Sequence, residues 1–256
     1  MIRIQNLWKR YGATDVLQGL NLEAHRGEIL VILGRSGVGK SVLLRHIIGI
    51  EKPDLGSIEV DGTIITDLKK NQIYQAVKNM GMLFQGSALF DSMTIEENTA
   101  FYLRQHGDPV TKKPFPPEVI EQKVKNALAM VGLEGTENKM PSDLSGGMRK
   151  RAGLARLIVY RPSILLYDEP TTGLDPITAQ QINELIVKTQ DELKGTSIVV
   201  THDINSALFI ADRLALHQDG KIIHVAEPKT FLQIDDPTIR FLRENLVHTP
   251  RKAGSQ

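Results

Sequence analysis

Hydrophobic and polar positions along the chain fall into two alternating textures. Residues 2–7, 17–24, 58–60 and 63–65 alternate apolar with polar side chains, and Arg26-Gly27 and Asp61-Gly62 punctuate them as turns. These segments read as short strands with one wet face. Residues 29–33, 80–84, 163–167 and 197–201 are instead almost continuously apolar, the pattern of strands buried on both faces. Helical spacing between them predicts crossovers, and hence a largely parallel sheet. Residues 213–217 and 221–225 flank Asp219-Gly220, a hairpin signal.

The stretch from about 86 to 155 has no long strand. Thr94-x-x-Glu97 is a capping box ahead of an apolar face, and Pro109, Pro114, Pro116 and Pro117 mark a loop before a helix near 118–131. This predicts a helical subdomain inserted into an α/β core. Asp175-Pro176 opens another helix, with Ile182, Leu185, Ile186 and Leu193 on one face and Gly195 closing it. A last helix is expected over 235–247, with Asp236 as N-cap, Pro237 as first residue, and Ile239, Leu242 and Leu246 on one face. The polar run 248–256 is expected to be disordered.

Composition narrows the function classes. The 256 residues are 41% hydrophobic and 24% charged, with a formal net charge of +1 and no cysteine. That is ordinary for a globular protein, does not advertise nucleic acid binding, and removes disulfides, thiolate zinc sites and cysteine nucleophiles. No apolar stretch approaches the roughly 20 residues of a membrane span, and no signal-peptide pattern opens the chain. A cytoplasmic location is expected, with any membrane span supplied by a partner.

The chemistry is concentrated in a few places. Residues Gly34-Arg35-Ser36-Gly37-Val38-Gly39-Lys40-Ser41 fit G-x-x-x-x-G-K-[ST] between an apolar strand and a helix-like stretch. The glycines let the backbone curl around phosphate, a helix start offers free N–H groups, Lys40 can reach phosphate oxygens, and the Ser41 hydroxyl can ligate Mg²⁺. A second apolar strand ends in Asp168-Glu169. Beside a phosphate loop, Asp168 can hold the Mg²⁺ shell and Glu169 can orient or activate water. Leu144-Ser145-Gly146-Gly147-Met148 precedes a helical pattern, so Ser145 can cap it and the glycines make a second anion site. One chain carrying two such sites, but only one phosphate loop, suggests that the second serves another molecule's nucleotide.

In this order the set resembles the nucleotide-binding subunit of ABC transporters, over residues 2–226. The resemblance implies a P-loop NTPase core with an antiparallel β subdomain and the inserted helical subdomain, followed by a helical extension over 227–247. It makes 34–41 the Walker A loop, 164–169 Walker B, and 144–148 the signature loop. It makes Tyr11 the aromatic that stacks on adenine, Gln85 the Q-loop glutamine and a metal contact, Gly173-Leu174-Asp175 the D-loop, and His202 the switch histidine. Singly, Tyr11 reads as a packed surface tyrosine, Gln85 as a polar loop residue, His202 as a structural histidine and Asp175 as a helix cap. The implied ligands are ATP and Mg²⁺, and the implied partners are a second copy of the chain and a membrane permease. Catalysis would fall to Glu169, His202, Lys40 and Gln85. Met148 departs from the Gln that commonly ends the signature. That departure, with Phe84–Thr94 around the Q-loop, resembles the ATPases paired with Mce-type lipid-binding proteins, including the Mla phospholipid systems. An importer of small solutes and a soluble cofactor-assembly ATPase remain as alternatives. Ala88-Leu89-Phe90 reads equally as a docking surface or as packing within the helical subdomain.

Overall fold

The computed structural model describes residues 1–108, 111–244 and 246. Pro109 and the tail 248–256 lie outside the described residues.

Two sheets organise the chain. β1 (Ile2–Tyr11), β2 (Thr14–Ala24), β4 (Leu55–Val60) and β5 (Thr63–Ile64) form an antiparallel sheet in the order β2-β1-β4-β5. β3 (Ile29–Leu33), β6 (Met80–Leu83), β7 (Ile164–Asp168), β8 (Thr196–Thr201), β9 (Arg213–Gln218) and β10 (Lys221–Ala226) form the second, ordered β10-β9-β3-β8-β7-β6. Every pairing in the second sheet is parallel except the β9–β10 hairpin at its edge. β1 runs beyond residue 7 although its second half is polar, because hairpin pairing carries it on to Tyr11 opposite Thr14. Pairing, not burial, makes that half of the strand.

Strand parity divides the core. Leu30 and Ile32 of β3 face the antiparallel sheet, where Ile4, Leu20 and Leu22 pack with Leu43, Leu44 and Ile47 of α1 (Lys40–Ile47). Val31 and Leu33 face the other way, with Leu83, Leu165, Tyr167 and Val199. Period-two alternation thus places each strand in both layers, which is why β3, β6, β7 and β8 read as unbroken apolar runs.

Helices cover the second face. α2 (Lys70–Val77), which the pattern does not foretell, lies on the first face instead, where Ala76 and Val77 pack half-buried and none of its residues is fully buried. The inserted helical part comprises α3 (Ile95–His106), α4 (Pro117–Met130) and α5 (Gly146–Ile158), and α5 leads back into β7. The Thr94 capping box forms in full: Glu97 N donates to Thr94 Oγ1 at 3.2 Å and Thr94 N to Glu97 Oε2 at 2.8 Å. Leu89 packs against this core, and Phe90 lies 4.7 Å from Phe101, with the Arg156 guanidinium 4.5 Å over its ring. Only Ala88 of that trio is exposed, so the segment is mostly internal packing.

α6 (Pro176–Leu193) and α7 (Ile204–Ile210) complete the layer. The left-handed residue ending α6 is Lys194 (φ 51°) rather than Gly195; the Gly195 carbonyl is fastened by Gln190 Nε2 at 2.6 Å. The C-terminal extension consists of α8 (Pro228–Phe231) and α9 (Pro237–Glu244). Asp236 Oδ1 accepts from the amides of Thr238 (2.8 Å) and Ile239 (3.2 Å), as an N-cap should. Phe231 and Ile239 are fully buried in the chain's own core.

Candidate functional site

Four adjacent parallel strands bring the site together. In the order β3-β8-β7-β6, their carboxyl ends carry the phosphate loop, His202, Asp168-Glu169 and the Gln85 loop respectively. The carboxyl ends of such strands are where open α/β sheets bind ligands.

The phosphate loop ends at Gly39, whose φ of 103° starts α1 from a conformation that an L side chain rarely adopts. Lys40 is buried. Its Nζ donates to Gly34 O (2.7 Å) and Arg35 O (3.0 Å) and stands 3.2 Å from Glu169 Oε1. Ser41 Oγ donates to Asp168 Oδ1 at 2.7 Å. Burial pushes the Asp168 carboxyl above the usual range and Glu169 adds to this, against the Ser41 hydrogen bond and the Lys40 and Arg45 charges. A hydroxyl and a carboxylate side by side are hard oxygen donors of the kind Mg²⁺ takes, with water and phosphate completing its shell. These residues fit the ion. A bound cation would also favour the ionised carboxylate that burial disfavours.

Glu169 is held on every side. Its φ of 48° is left-handed, a strained setting for a side-chain-bearing residue, and its amide donates to Val200 O at 3.0 Å. Oε2 accepts from Thr172 Oγ1 at 2.9 Å and lies 2.9 Å from His202 Nδ1. Its carbonyl faces Lys150 Nζ at 3.4 Å, and the same ammonium donates to Gln85 O. Gln85 itself is exposed, so it meets this cluster through its backbone.

The structure therefore joins Lys40, Ser41, Gln85, Asp168, Glu169 and His202. The residues expected to serve a second nucleotide form a separate group. Ser145 Oγ accepts from Met148 N at 3.3 Å, capping α5. A Cβ at Gly147 would collide with Thr178 Cγ2, and one at Gly146 would touch Leu174. Asp175 accepts from the amides of Ile177 (3.1 Å) and Thr178 (3.0 Å) and from Thr178 Oγ1 (2.5 Å), bonds that hold its carboxyl below the ordinary range. Residues 145–148 and 174–178 are thus built against each other, and among the described residues no hydrogen bond joins 145–148 to the loop 34–41. Met148 packs partly buried on the core, a role in which an apolar side chain suffices.

Tyr11 stands at the β1–β2 hairpin. Its ring is exposed, its hydroxyl donates to Glu51, and Lys9 Nζ lies 5.3 Å over the ring. The same hairpin reaches the phosphate loop through Val16, which lies where a Cβ on Gly39 would point.

Three residues beyond the sequence expectations belong to the site: Thr172, Lys150 and His217. His217 is buried behind the phosphate loop, and its carbonyl leaves no room for a Cβ at Gly34. Burial first, and the Lys40 charge second, lower its imidazole to about 4. A signal for Lys150 exists: it continues the buried stripe of Gly147, Leu154 and Leu157 on α5, so a cation sits where the helical period asks for an apolar residue.

A family profile described as ABC transporter matches residues 17–172. A protein of Haemophilus influenzae named as the intermembrane phospholipid transport system ATP-binding protein MlaF is 40% identical over 244 residues, covering 95% of this chain and 90% of that one. Its Escherichia coli K12 counterpart is 38% identical, covering 93% and 87%. A Mycobacterium bovis protein named as the probable ribonucleotide transport ATP-binding protein mkl is 40% identical over 93% of this chain, which spans only 65% of that relative's length. Among solved structures, a dimeric ATP-binding cassette in a post-hydrolysis state with ADP and phosphate superposes with a TM-score of 0.79 at 31% identity, covering 89% of this chain and 99% of that one. The cassette cbiO1 of Clostridium perfringens superposes at 0.80 with 32% identity, covering 96% and 95%. With the profile spanning most of the chain and relatives matched nearly end to end, the chain belongs to the ABC transporter family, as an ATP-binding cassette with the P-loop NTPase fold.

Proposed function

We propose that the chain hydrolyses ATP in a head-to-tail pair of copies and drives an ABC transporter that moves phospholipid or another lipid between membranes. The observation that carries the ATPase reading is Glu169, strained at its backbone and fixed at both carboxylate oxygens beside Lys40. Lys40 and the loop 34–41 would bind the β- and γ-phosphates, and Tyr11 would stack on adenine. Ser41 and Asp168, with Gln85, would hold Mg²⁺, which when bound neutralises phosphate charge. Glu169 would draw a proton from the attacking water while His202 holds the carboxylate in line. Positioning and charge stabilisation of this kind carry most phosphoryl-transfer catalysis.

The signature group supports the paired arrangement. Ser145, Gly146 and Gly147 stand apart from the chain's own phosphate loop, backed by Asp175, and in a pair would reach the γ-phosphate bound at Lys40 of the second copy. ATP would then be part of the interface, so closure follows ligand by mass action. The lipid reading rests on similarity to the MlaF proteins, whose names state phospholipid transport. Among the described residues no helix is long and apolar enough to cross a membrane. The proposed partner is an integral-membrane permease with an Mce-type lipid-binding protein, and the proposed site of action is the cytoplasmic face of the inner membrane.

The test is recovery of tagged Glu169→Gln chain from detergent-solubilised membranes with MgATP, the eluate being identified by mass spectrometry. A multi-span permease with an Mce-type protein and phospholipid is the expected result. A permease with a soluble binder of amino acids, metals or nucleotides would keep the ATPase and discard the lipid assignment.

A further inference from the structure

α5 is a rod between two places. Its N-terminus carries Ser145, Gly146 and Gly147, and one face of its middle turns lies on the Q-loop. That face is Lys150, Gly153 and Arg156, three residues at the i, i+3 spacing that shares a side of a helix. Gly153 permits the approach: a Cβ there would come within 2.9 Å of Leu83 Cδ1 and 3.2 Å of Ser87 O. Arg156 donates to Ala88 O. Lys150 donates to Gln85 O and reaches Glu169 O at 3.4 Å.

Lys150 is the unusual member. The residue is only 6% exposed, and lysine is rarely buried without a partner of full opposite charge. Burial lowers its pKa, while the Asp168 and Glu169 carboxylates act to keep it charged. It nevertheless spends its donors on backbone carbonyls, and both carbonyls lie in the nucleotide machinery. One belongs to the Q-loop glutamine and the other to the residue whose left-handed backbone aims the catalytic carboxylate.

We propose that Lys150 is a positioning residue that couples the signature end of α5 to the Q-loop and the catalytic glutamate of its own chain. The proposal rests on the ATP-sandwich reading above. When the signature loop engages the partner copy's nucleotide, any shift of α5 is passed through Lys150 to Gln85 and Glu169, so each site is set by the occupancy of the other. Such coupling can travel through hydrogen bonds between packed elements, and among the described residues Lys150 reaches both catalytic segments from the signature helix.

The experiment compares wild type, Lys150→Met and Lys150→Arg as full chains, measuring phosphate release against ATP concentration and thermal unfolding. Losing charged hydrogen bonds should lower kcat about tenfold or more. KM for ATP should stay near that of wild type, because Lys40 binds the phosphates, and the Hill coefficient should fall towards one. The arginine variant, which keeps charge and donors, should recover both kcat and cooperativity. A purely structural role would lower the melting temperature and the active fraction while leaving the Hill coefficient unchanged, and that result overturns the proposal. Should the methionine variant not fold, Lys150→Gln carries the same test. Wild-type kcat and cooperativity in the variants, with an active wild type, overturn the role of Lys150 alone. An inactive wild type overturns the ATPase reading and this proposal with it.

Discussion

His202 Nδ1 stands 2.9 Å from Glu169 Oε2, an oxygen that also accepts from Thr172 Oγ1, while Oε1 faces Lys40 Nζ at 3.2 Å. The carboxylate is thereby clamped at both ends, and no single neighbour sets its direction. Glu169→Gln keeps the shape and removes the proposed base. Hydrolysis should fall by roughly a hundredfold or more, general-base catalysis being worth about that much, while MgATP still binds and traps the pair. Thr172→Ala removes one of two holders of one oxygen and should cost less than His202→Ala. Phosphate release, with size exclusion in MgATP, reads both. Wild-type turnover in the glutamine variant would remove Glu169 from the chemistry.

Gly147 and Thr178 form a lock between the signature loop and α6. A methyl on Gly147 would collide with Thr178 Cγ2, and Thr178 is itself held by its hydroxyl on Asp175 Oδ2 at 2.5 Å. Gly147→Ala should therefore push the signature loop out of place and depress hydrolysis about tenfold or more, since angstrom-scale misplacement alone has effects of that order. Thr178→Ser deletes Cγ2 and retains the hydroxyl. The double variant Gly147→Ala/Thr178→Ser should regain most of the lost rate. Absence of rescue would mean that the glycine is needed for its backbone and not for the space.

The parts of this site legible in the sequence are those whose chemistry is local. The phosphate loop declares itself because glycines, lysine and serine sit within eight consecutive residues, 34–41. Asp168-Glu169 and His202 follow apolar runs that become β7 and β8, and the sheet order brings them together. What the sequence leaves hidden is long-range. Thr172 looks like any turn threonine, and nothing near His217 shows that β9 runs behind the phosphate loop. The short helix α2 is not legible, because it offers too little apolar periodicity and buries no residue, whereas α8 falls within the expected helical extension. Lys150 could have been suspected, as a cation on the buried stripe of α5, but its carbonyl partners lie on two other loops.

His217 should make the fold acid-sensitive. Its imidazole, ordinarily near 6.5, is lowered to about 4 by burial and by the Lys40 charge, with Asp219 opposing. As pH falls below about 6.5 the unfolded chain takes up a proton that the folded chain refuses, so stability drops until the folded histidine also titrates near 4. The contribution is complete above about 6.5 and is worth on the order of 3 kcal/mol. His217→Leu should flatten the stability profile between these limits, read by urea melts across pH. A variant as acid-sensitive as wild type over that window would mean that the buried ring titrates normally.

The C-terminal extension is anchored from within. Phe231 on α8 and Ile239 on α9 are both fully buried against the second core layer, and Leu242 and Leu246 pack partly on it. Asp236 caps α9 and its other oxygen lies 3.5 Å from His224 Nε2, tying the helix to the edge strand β10. Phe231→Ala should cost about 3–5 kcal/mol and Ile239→Ala about 2–5 kcal/mol, as truncations in packed cores do. Each would appear as a lower urea midpoint with an unchanged slope. Deleting residues 236–256 removes the cap and the helix together, and should lower recovery of the pair or of the membrane complex as well as stability. If the truncated chain loses stability yet assembles normally, the helix serves its own chain alone; if it loses neither, the burial of Ile239 contributes nothing that the remaining core cannot supply.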